Sequence, residues 1–572
     1  MNQNLSWQNL SWLKKYPPSV AWDAVLTPLP VGQMFDEAVA RFGALHCLDF
    51  LDKHYTYAEV GVLVARAAKG LQQLGVGKGS KVGLFLPNTP YYVIMYFAVL
   101  KIGGTIVNFN PLYAEQELAK QITDSDCQLM VTLDLAVMYP KLATMLERTC
   151  LKRLVICRMA AILPFPKNLL FPLVRAKELA AIPRDGRHVP FAQLIANDGS
   201  FEPVAIDPLH DIAVLQYTGG TTGVPKGAML THANLTINAE QACRWFPGFR
   251  PGQEKMLGVL PFFHVFALTC VLNVGIRIGA EIICLPRFDL AQTVKIIDRK
   301  KPTLFPAVPT IYTAINQFKA LDQYDLSSIR YCISGGAGLP VEVKKEFERL
   351  TGCVLVEGYG LSETSPVATA NPAEGENKAG SIGLPLPGTF IEIVSLEDHK
   401  TVLPAGERGE VCIRGPQVMV GYWNNAAETL QVMDVTPDGV RFHSGDVGYM
   451  DADGYTFITD RIKDMIMCSG FKVYPRNVED AIYQHPAVAE CVVVGLPDAY
   501  RGQTVKAYIN LKPGQDLTKD TLIKFLGDKI SPIEIPKQVE FRDQPLPKTL
   551  IGKLSRKLLL EEEAAKVAAA VS

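Results

Sequence analysis

Residues 217 to 228 constrain this chain more than any other stretch. They read Tyr-Thr-Gly-Gly-Thr-Thr-Gly-Val-Pro-Lys-Gly-Ala, with three glycines, three threonines and one lysine between Thr218 and Lys226. The apolar run 212–215 before them predicts a buried strand. Thr231 predicts the N-cap of a helix starting near Asn234. A glycine loop between strand and helix can turn its backbone N–H groups into an anion-binding nest. With the hydroxyls and the Lys226 charge added, the ligand such a loop suits is a polyphosphate. The spacing is not that of a Walker A loop, because Val224-Pro225 separates Gly223 from Lys226 and Gly227 follows the lysine. A flexible linker would need neither the threonine cluster nor the Pro-Lys pair.

A chain of 572 residues exceeds one hydrophobic core, so two or more domains are expected. The net charge of −1 gives no basic face for nucleic acid. Twelve cysteines occur singly, without a C-x-x-C pair, which speaks against a zinc or disulfide framework and for a reducing, cytoplasmic setting. No signal-peptide pattern opens the chain. The most apolar stretch, 91–109, is broken by Lys101 and Gly103-Gly104 and predicts a core helix, a turn and a buried strand.

In chain order, Trp7, Trp12 and Tyr16 sit in a short N-terminal arm expected to pack on the body. Residues 55–76 carry helical apolar spacing behind Thr56 as N-cap, and 81–86 alternate as a strand. Repetition of this unit to about residue 156 predicts a parallel, doubly wound sheet. The stretch 157–190 interleaves apolar patches with Arg158, Lys167, Arg175 and Lys177. Two readings stay open for it: irregular chain folded on the body, or a peripheral membrane contact through 158–177.

Further on, Pro261 and flanking aromatics put His264 at the end of an expected strand, where such a histidine ordinarily packs. Glycine turns follow at 334–340 and 357–364. In the second, Tyr359 between Gly358 and Gly360 can lay its ring on a planar ligand, and Glu363 can hold a hard cation such as Mg²⁺. Asp446, in an expected tight turn between Gly445 and Gly448, can accept hydrogen bonds from a diol; an Asx-turn is the plain alternative. After Asp460 to Asp464 the chain changes character. A helix over 476–484, strands over 490–494 and 504–510 and a helix over 518–529 predict a small α+β domain. Lys553, after Gly552 in a polar loop, would ordinarily be solvated, and the tail 561–570 is expected to fray.

Taken together, the signals at 217–228, 261–266, 357–364, 443–448, 460–475 and 546–556 stand in one order. The chain resembles the adenylate-forming superfamily over nearly its full length, most closely the bacterial long-chain fatty acid–CoA ligases. The resemblance rests on 216–223, 357–363 and 463–475, with support from 12–17 and 107–113. It implies an α/β multidomain protein. Residues 1–462 would form a large adenylating domain of doubly wound sheets, and 463–572 a small, mobile α+β domain. ATP and a fatty acid would give an acyl-adenylate, which the thiol of coenzyme A would convert to acyl-CoA. Expected partners are therefore fatty acid, ATP with Mg²⁺, and coenzyme A; a homodimer stays open as the assembly.

The resemblance also assigns roles. Thr218, Gly219, Gly220, Thr221, Thr222, Gly223 and Lys226 would hold the β- and γ-phosphates. Gly336, Ala337, Gly358, Tyr359 and Gly360 would frame adenine. Ser362, where many relatives carry threonine, would touch the α-phosphate, and Glu363 would bind Mg²⁺. Asp446 and Arg461 would hold ribose. His264 would sit beside the substrate carboxylate, with Phe266 near the acyl channel. Lys553 would bridge carboxylate and phosphate. Lys463 would be the hinge that exchanges Lys553 for the 469–472 loop, whose Gly470 and Lys472 would face coenzyme A. Alternatives are an acyl-AMP ligase loading a carrier protein, a coenzyme A ligase for medium-chain or aryl acids, and a non-catalytic adenylate binder. The absence of an obvious insertion between Tyr359 and Asp460 favours the coenzyme A ligase over the first. Intact Lys226, Glu363, Asp446 and Lys553 speak against the last.

Overall fold

The computed structural model describes residues 10–218, 225–498, 500–549 and 553–571. The chain divides into two compact units, Met1–Phe390 with Arg414–Phe442, and Ile391–Ile413 with His443–Ser572. It passes between them at 390/391, 413/414 and 442/443. The boundary expected at 462 falls inside the second unit.

In the first unit, a seven-stranded sheet runs in the order His188–Pro190, Arg153–Cys157, Leu129–Leu133, Lys81–Leu84, Thr105–Asn108, Ile212–Thr218, Lys226–Thr231. Every neighbouring pair is parallel except the last. Strands such as Leu129–Leu133 are buried along their whole length, as parallel strands covered on both faces must be. The expected helix and strand in 91–109 are Pro90–Lys101, buried from Pro90 to Leu100, and Thr105–Asn108. Thr56 caps the helix Tyr57–Gln73 in a reciprocal box with Glu59. Among the arm residues, Trp7 lies outside the described residues, while Trp12 is buried and Tyr16 donates to the Pro385 carbonyl at 2.8 Å.

Around residues 212–245 the chain differs from the expected strand, loop and helix. A second strand, Lys226–Thr231, returns antiparallel to Ile212–Thr218 before the helix begins. Its inward residues Ala228 and Leu230 bury against the sheet, so the chain gains a covered edge by pairing rather than by entering the helix directly. Thr231 is the N-cap as expected, accepting from Asn234 N–H, and the helix runs His232–Trp245.

The second unit holds the sheet Phe471–Val473, Ile466–Cys468, Gly502–Leu511, Val488–Asp498, with Gln538–Arg542 beside Gly502–Leu511. The helices Pro475–Tyr483 and Lys519–Leu526 supply Val478, Ile482, Leu522 and Leu526 to its core. These match the elements expected after residue 475. The tail does not fray. It forms the helix Arg556–Val571, whose Leu559 packs with Val492, Val494 and Tyr508. Its Leu, Glu, Lys and Ala content favours helix, which outweighs its weak apolar periodicity. Asp446 likewise lies in a long strand, Gly439–Met450, paired with Thr456–Arg461, and not in a tight turn. Gly445 at φ +72° gives that strand a local bend just before Asp446.

Candidate active site

In the first unit the hairpin register sets Thr218 opposite Lys226. Gly219, Gly220, Thr221, Thr222 and Gly223 lie outside the described residues. Lys226 is largely buried and pairs with Glu428, with its Nζ 5.5 Å from the Tyr422 ring centre. Glu428 stands on the short helix Ala426–Val432, whose N-cap Asn425 accepts from Glu428 N–H at 3.2 Å. The Tyr422 hydroxyl donates to Glu363 Oε1 at 2.7 Å. Burial, and then the charge of Glu363, push the Tyr422 phenol above its ordinary range, so it stays a donor. One tyrosine thus bridges a lysine held by one carboxylate and a second, buried carboxylate. Tyr422 and Glu428 escaped the sequence reading, because no local pattern signals a pair 202 positions apart.

Glu363 and Ser362 share the 3₁₀ turn Ser362–Thr364. With Oε1 taken by Tyr422, Oε2 of Glu363 and the neighbouring Ser362 hydroxyl are hard oxygen donors. This set fits Mg²⁺, which is usually held by one or two carboxylates together with substrate phosphates and waters.

The glycine turn at 334–340 follows the strand Tyr331–Ser334, which pairs in parallel with Val354–Gly360. Gly336 has φ +85°, and Gly336 and Ala337 are exposed. Buried Glu357 closes the turn by accepting from Leu339 N–H at 3.1 Å. Gly358 and Tyr359 pair with Ala370 and Thr369 on the adjacent strand. At Gly360 a β-carbon would stand 1.8 Å from the Pro366 carbonyl oxygen, so no side chain fits.

His264 does not end a strand. The strand Lys255–Gly258 stops earlier, and His264 N-caps the turn Val265–Ala267, accepting at Nδ1 from Phe266 N–H at 3.3 Å. The segment before it is fixed by Asn88, which accepts from Phe262 N–H at 2.7 Å. Gln216, on the strand Ile212–Thr218, donates to the Phe263 carbonyl at 3.0 Å. The turn before His264 and the strand Ile212–Thr218 are therefore held by one hydrogen-bonded frame. The Phe266 ring lies 3.2 Å from where a β-carbon on Gly335 would stand, next to the 336–337 turn.

In the second unit, buried Asp446 accepts from Arg461 Nε at 2.8 Å. Glu410 positions this corner. It accepts from Gly445 N–H at 2.9 Å and lies 2.8 Å from His443 Nδ1. Burial alone would raise Glu410, but these partners leave it below the ordinary carboxylate range. A cleft of about 190 Å³ is lined by Ser444, Gly445, Arg461, Ile462 and Lys463.

Lys553 is half-buried within reach of the charges of Arg461 and Asp446. Burial, with Arg461 added and Asp446 opposing, lowers its ammonium to about 8. On the strand Thr456–Arg461, Asp460 accepts from Arg476 N–H at 2.7 Å and lies 3.8 Å from Arg556, which also meets Asp464 and Glu479. Burial pushes Asp460 up to about 6. Gly470 and Ser469, at φ +80° and +52°, form the exposed two-residue turn of a hairpin that carries Lys472, while its Ile466, Cys468 and Val473 are buried. The structure thus gathers Thr218, Lys226 and Glu363 in one unit, and Asp446, Arg461, Lys463 and Lys553 in the other.

The chain matches known proteins in both sequence and fold. A family model described as AMP-binding enzyme matches residues 35–423, and one described as AMP-binding enzyme C-terminal domain matches residues 477–553. A long-chain-fatty-acid–CoA ligase of Bacillus subtilis (strain 168) is 45% identical over 96% of this chain and 98% of its own length. One from Escherichia coli O6:H1 is 35% identical over 97% of this chain and 99% of its own. The crystal structure of the anthranilate CoA ligase AuaEII in complex with anthranoyl-AMP aligns with a TM-score of 0.81 and 26% identity, covering 96% of this chain and 99% of that one.

Proposed function

Because the chain belongs to the AMP-binding enzyme family, we propose that it joins a long-chain fatty acid to coenzyme A in two steps at the expense of ATP. In the first, a carboxylate oxygen attacks the α-phosphorus and pyrophosphate leaves. In the second, the thiol of coenzyme A, giving up its proton, attacks the acyl carbonyl and AMP leaves. The observation that carries the reading is the shared electrostatic neighbourhood of Lys553, Asp446 and Arg461. A nucleotide ribose held by the Asp446 carboxylate has its α-phosphate within the reach of a lysine so placed.

In this reading Thr218 and Lys226, with Gly219 to Gly223, hold the outer phosphates, and Lys226 exchanges Glu428 for them. Gly336, Ala337 and Tyr359 frame adenine, and Ser362 contacts the α-phosphate. Glu363 holds Mg²⁺, which when bound neutralises phosphate charge. His264 stands beside the substrate carboxylate. Lys553 neutralises charge on the α-phosphate and the incoming carboxylate, a contribution of about 3–4 kcal/mol for a fixed donor of this kind. The segment after Lys463 then turns about that residue, withdrawing Lys553 and presenting Gly470 and Lys472 to coenzyme A. The long-chain substrate follows the names of the full-length relatives. A second reading, an aryl acid, is favoured by the anthranilate ligase neighbour. AMP release from short, medium, long-chain and aryl acids, with and without coenzyme A, separates the two. Strongest turnover on aryl acids would replace the fatty acid.

The lowered Lys553 ammonium gives a pH signature. The lysine acts as a cation, so kcat/KM for adenylation is level below about 8 and falls about tenfold per pH unit above it. Initial rates of AMP release across alkaline pH check this, and a profile flat to pH ~10 removes Lys553 from the charge-neutralising role. We also assign a peripheral membrane contact to residues 158–177, where the enzyme would meet acids dissolved in a bilayer. Among the described residues no helix is long and apolar enough to cross a membrane.

A further inference from the structure

Beside the Asp446 corner, three different kinds of donor converge. Glu410 and Cys412 stand two positions apart on the strand Gly409–Arg414, and so on one face of it. His443 stands on Gly439–Met450, the neighbouring strand of the same sheet. Glu410 Oε2 lies 2.8 Å from His443 Nδ1, and Cys412 Sγ lies 3.4 Å from that same nitrogen. Sulfur, nitrogen and oxygen all fall within 4.8 Å of one another. A second imidazole approaches the group, with His399 Nδ1 3.7 Å from Glu410 Oε2. Its backbone N–H donates to the Ser395 carbonyl at 3.0 Å, which ties down the turn that carries it. Glu410 and Cys412 are buried, whereas His399 is exposed and opens the group to solvent.

A single proton serves this arrangement poorly. His443 Nδ1 carries at most one hydrogen, which can point at the carboxylate or at the sulfur but not well at both. One divalent cation satisfies all of these atoms together. Zinc bonds of about 2.0–2.3 Å in a tetrahedron put neighbouring ligand atoms roughly 3.3–3.6 Å apart. Side-chain adjustments of about an ångström bring the four donors to that spacing. Thiol and imidazole ligands select zinc over Mg²⁺ and Ca²⁺, which take oxygen.

We propose that Cys412, His443, Glu410 and His399 form a zinc site. The Cys412 thiol gives up its proton to water as the sulfur–zinc bond forms. Glu410 binds through Oε2 and keeps Oε1 on the Gly445 N–H. The ion therefore fastens Gly409–Arg414 to the strand that carries Asp446 without releasing Gly445. The donor set differs from that at Glu363, whose oxygens suit Mg²⁺. The site does not depend on the ligase reading, since its test needs no turnover.

Cobalt(II) is the probe, because a thiolate ligand gives it a charge-transfer absorption in the near ultraviolet. Titration of the chelator-stripped protein with Co²⁺ is expected to raise that absorption to saturation at about one ion per chain. Equimolar Zn²⁺ should bleach it, and about a hundredfold excess of Mg²⁺ should not. Cys412→Ser should remove the absorption. His399→Gln, at an exposed position, should keep the fold and weaken Co²⁺ binding about tenfold. Thermal unfolding of the metal-free variants checks that each folds, and His399→Gln decides the question even where Cys412→Ser does not. Cobalt bound without the absorption, or an absorption that survives Cys412→Ser, overturns the proposal. Unchanged affinity in His399→Gln overturns it as well.

Discussion

Replacing Lys553 with alanine is expected to slow adenylate formation by two to three orders of magnitude while leaving conversion of preformed acyl-AMP to acyl-CoA near its native rate. The size follows from removing a fixed cation from a developing phosphate charge, about 3–4 kcal/mol. The asymmetry follows from the proposed two-step chemistry: in the second step the phosphate charge is already settled on AMP, and the proposed turn about Lys463 would have withdrawn the lysine. The lysine is half-buried and lowered to about 8, so its desolvation is already borne by the fold. Pyrophosphate exchange reads the first half-reaction, and thioester release from synthetic acyl-AMP reads the second. Equal loss in both would remove the turn about Lys463 from the mechanism. Lys553→Arg separates charge from reach: it keeps the cation but not the compact ammonium, so partial recovery identifies charge as the main requirement.

Asp446→Ala is expected to behave oppositely, weakening both half-reactions because ribose is present in ATP and in the adenylate. Losing hydrogen bonds to a charged, buried group costs about 2 kcal/mol, or roughly thirtyfold in the KM for ATP and in the affinity for acyl-AMP. Asp446 is 3% exposed and holds Arg461 at 2.8 Å, so the variant also frees a guanidinium beside Lys553. The lysine should then drop further, because Asp446 is the partner that raises it. The alkaline fall in adenylation would move to lower pH, a change that simple loss of ribose contacts would not produce. Asp446→Asn, which keeps a hydrogen-bond acceptor without the charge, should retain part of the ATP affinity but show the same pH displacement. An unchanged ATP requirement in both variants would take Asp446 out of the ribose site.

Much of this architecture could be read from the sequence because its signals are local. Thr56 and Thr231 announce their helices through a side chain and the backbone three residues on. The core helix Pro90–Lys101 and the strand Thr105–Asn108 are separated by a glycine pair that no continuous element would carry. The missed features are those decided at long range. The strand Lys226–Thr231 exists because its partner is already in the sheet, which no propensity of Lys-Gly-Ala-Met-Leu-Thr reveals. The pairing of Lys226 with Glu428 and of Tyr422 with Glu363 depends on the path of residues 415–432. Lys553 is legible only through family resemblance. By itself it reads as a solvated lysine, and what sets it apart is its proximity to Arg461 and Asp446, about a hundred positions earlier.

The contacts of Asp460 bear on how such an enzyme keeps time. Arg476 and Arg556, which it holds, both lie beyond Lys463, whereas Asp460 lies before it. A turn about Lys463, as proposed above, would carry them apart, and the joint would then act as a latch and not a free swivel. A buried hydrogen bond and an ion pair must open together before Lys553 can leave. Steps of that kind run on the microsecond to millisecond scale and often limit turnover. The pace of successive cycles would then be set at Asp460, well outside the atoms that react.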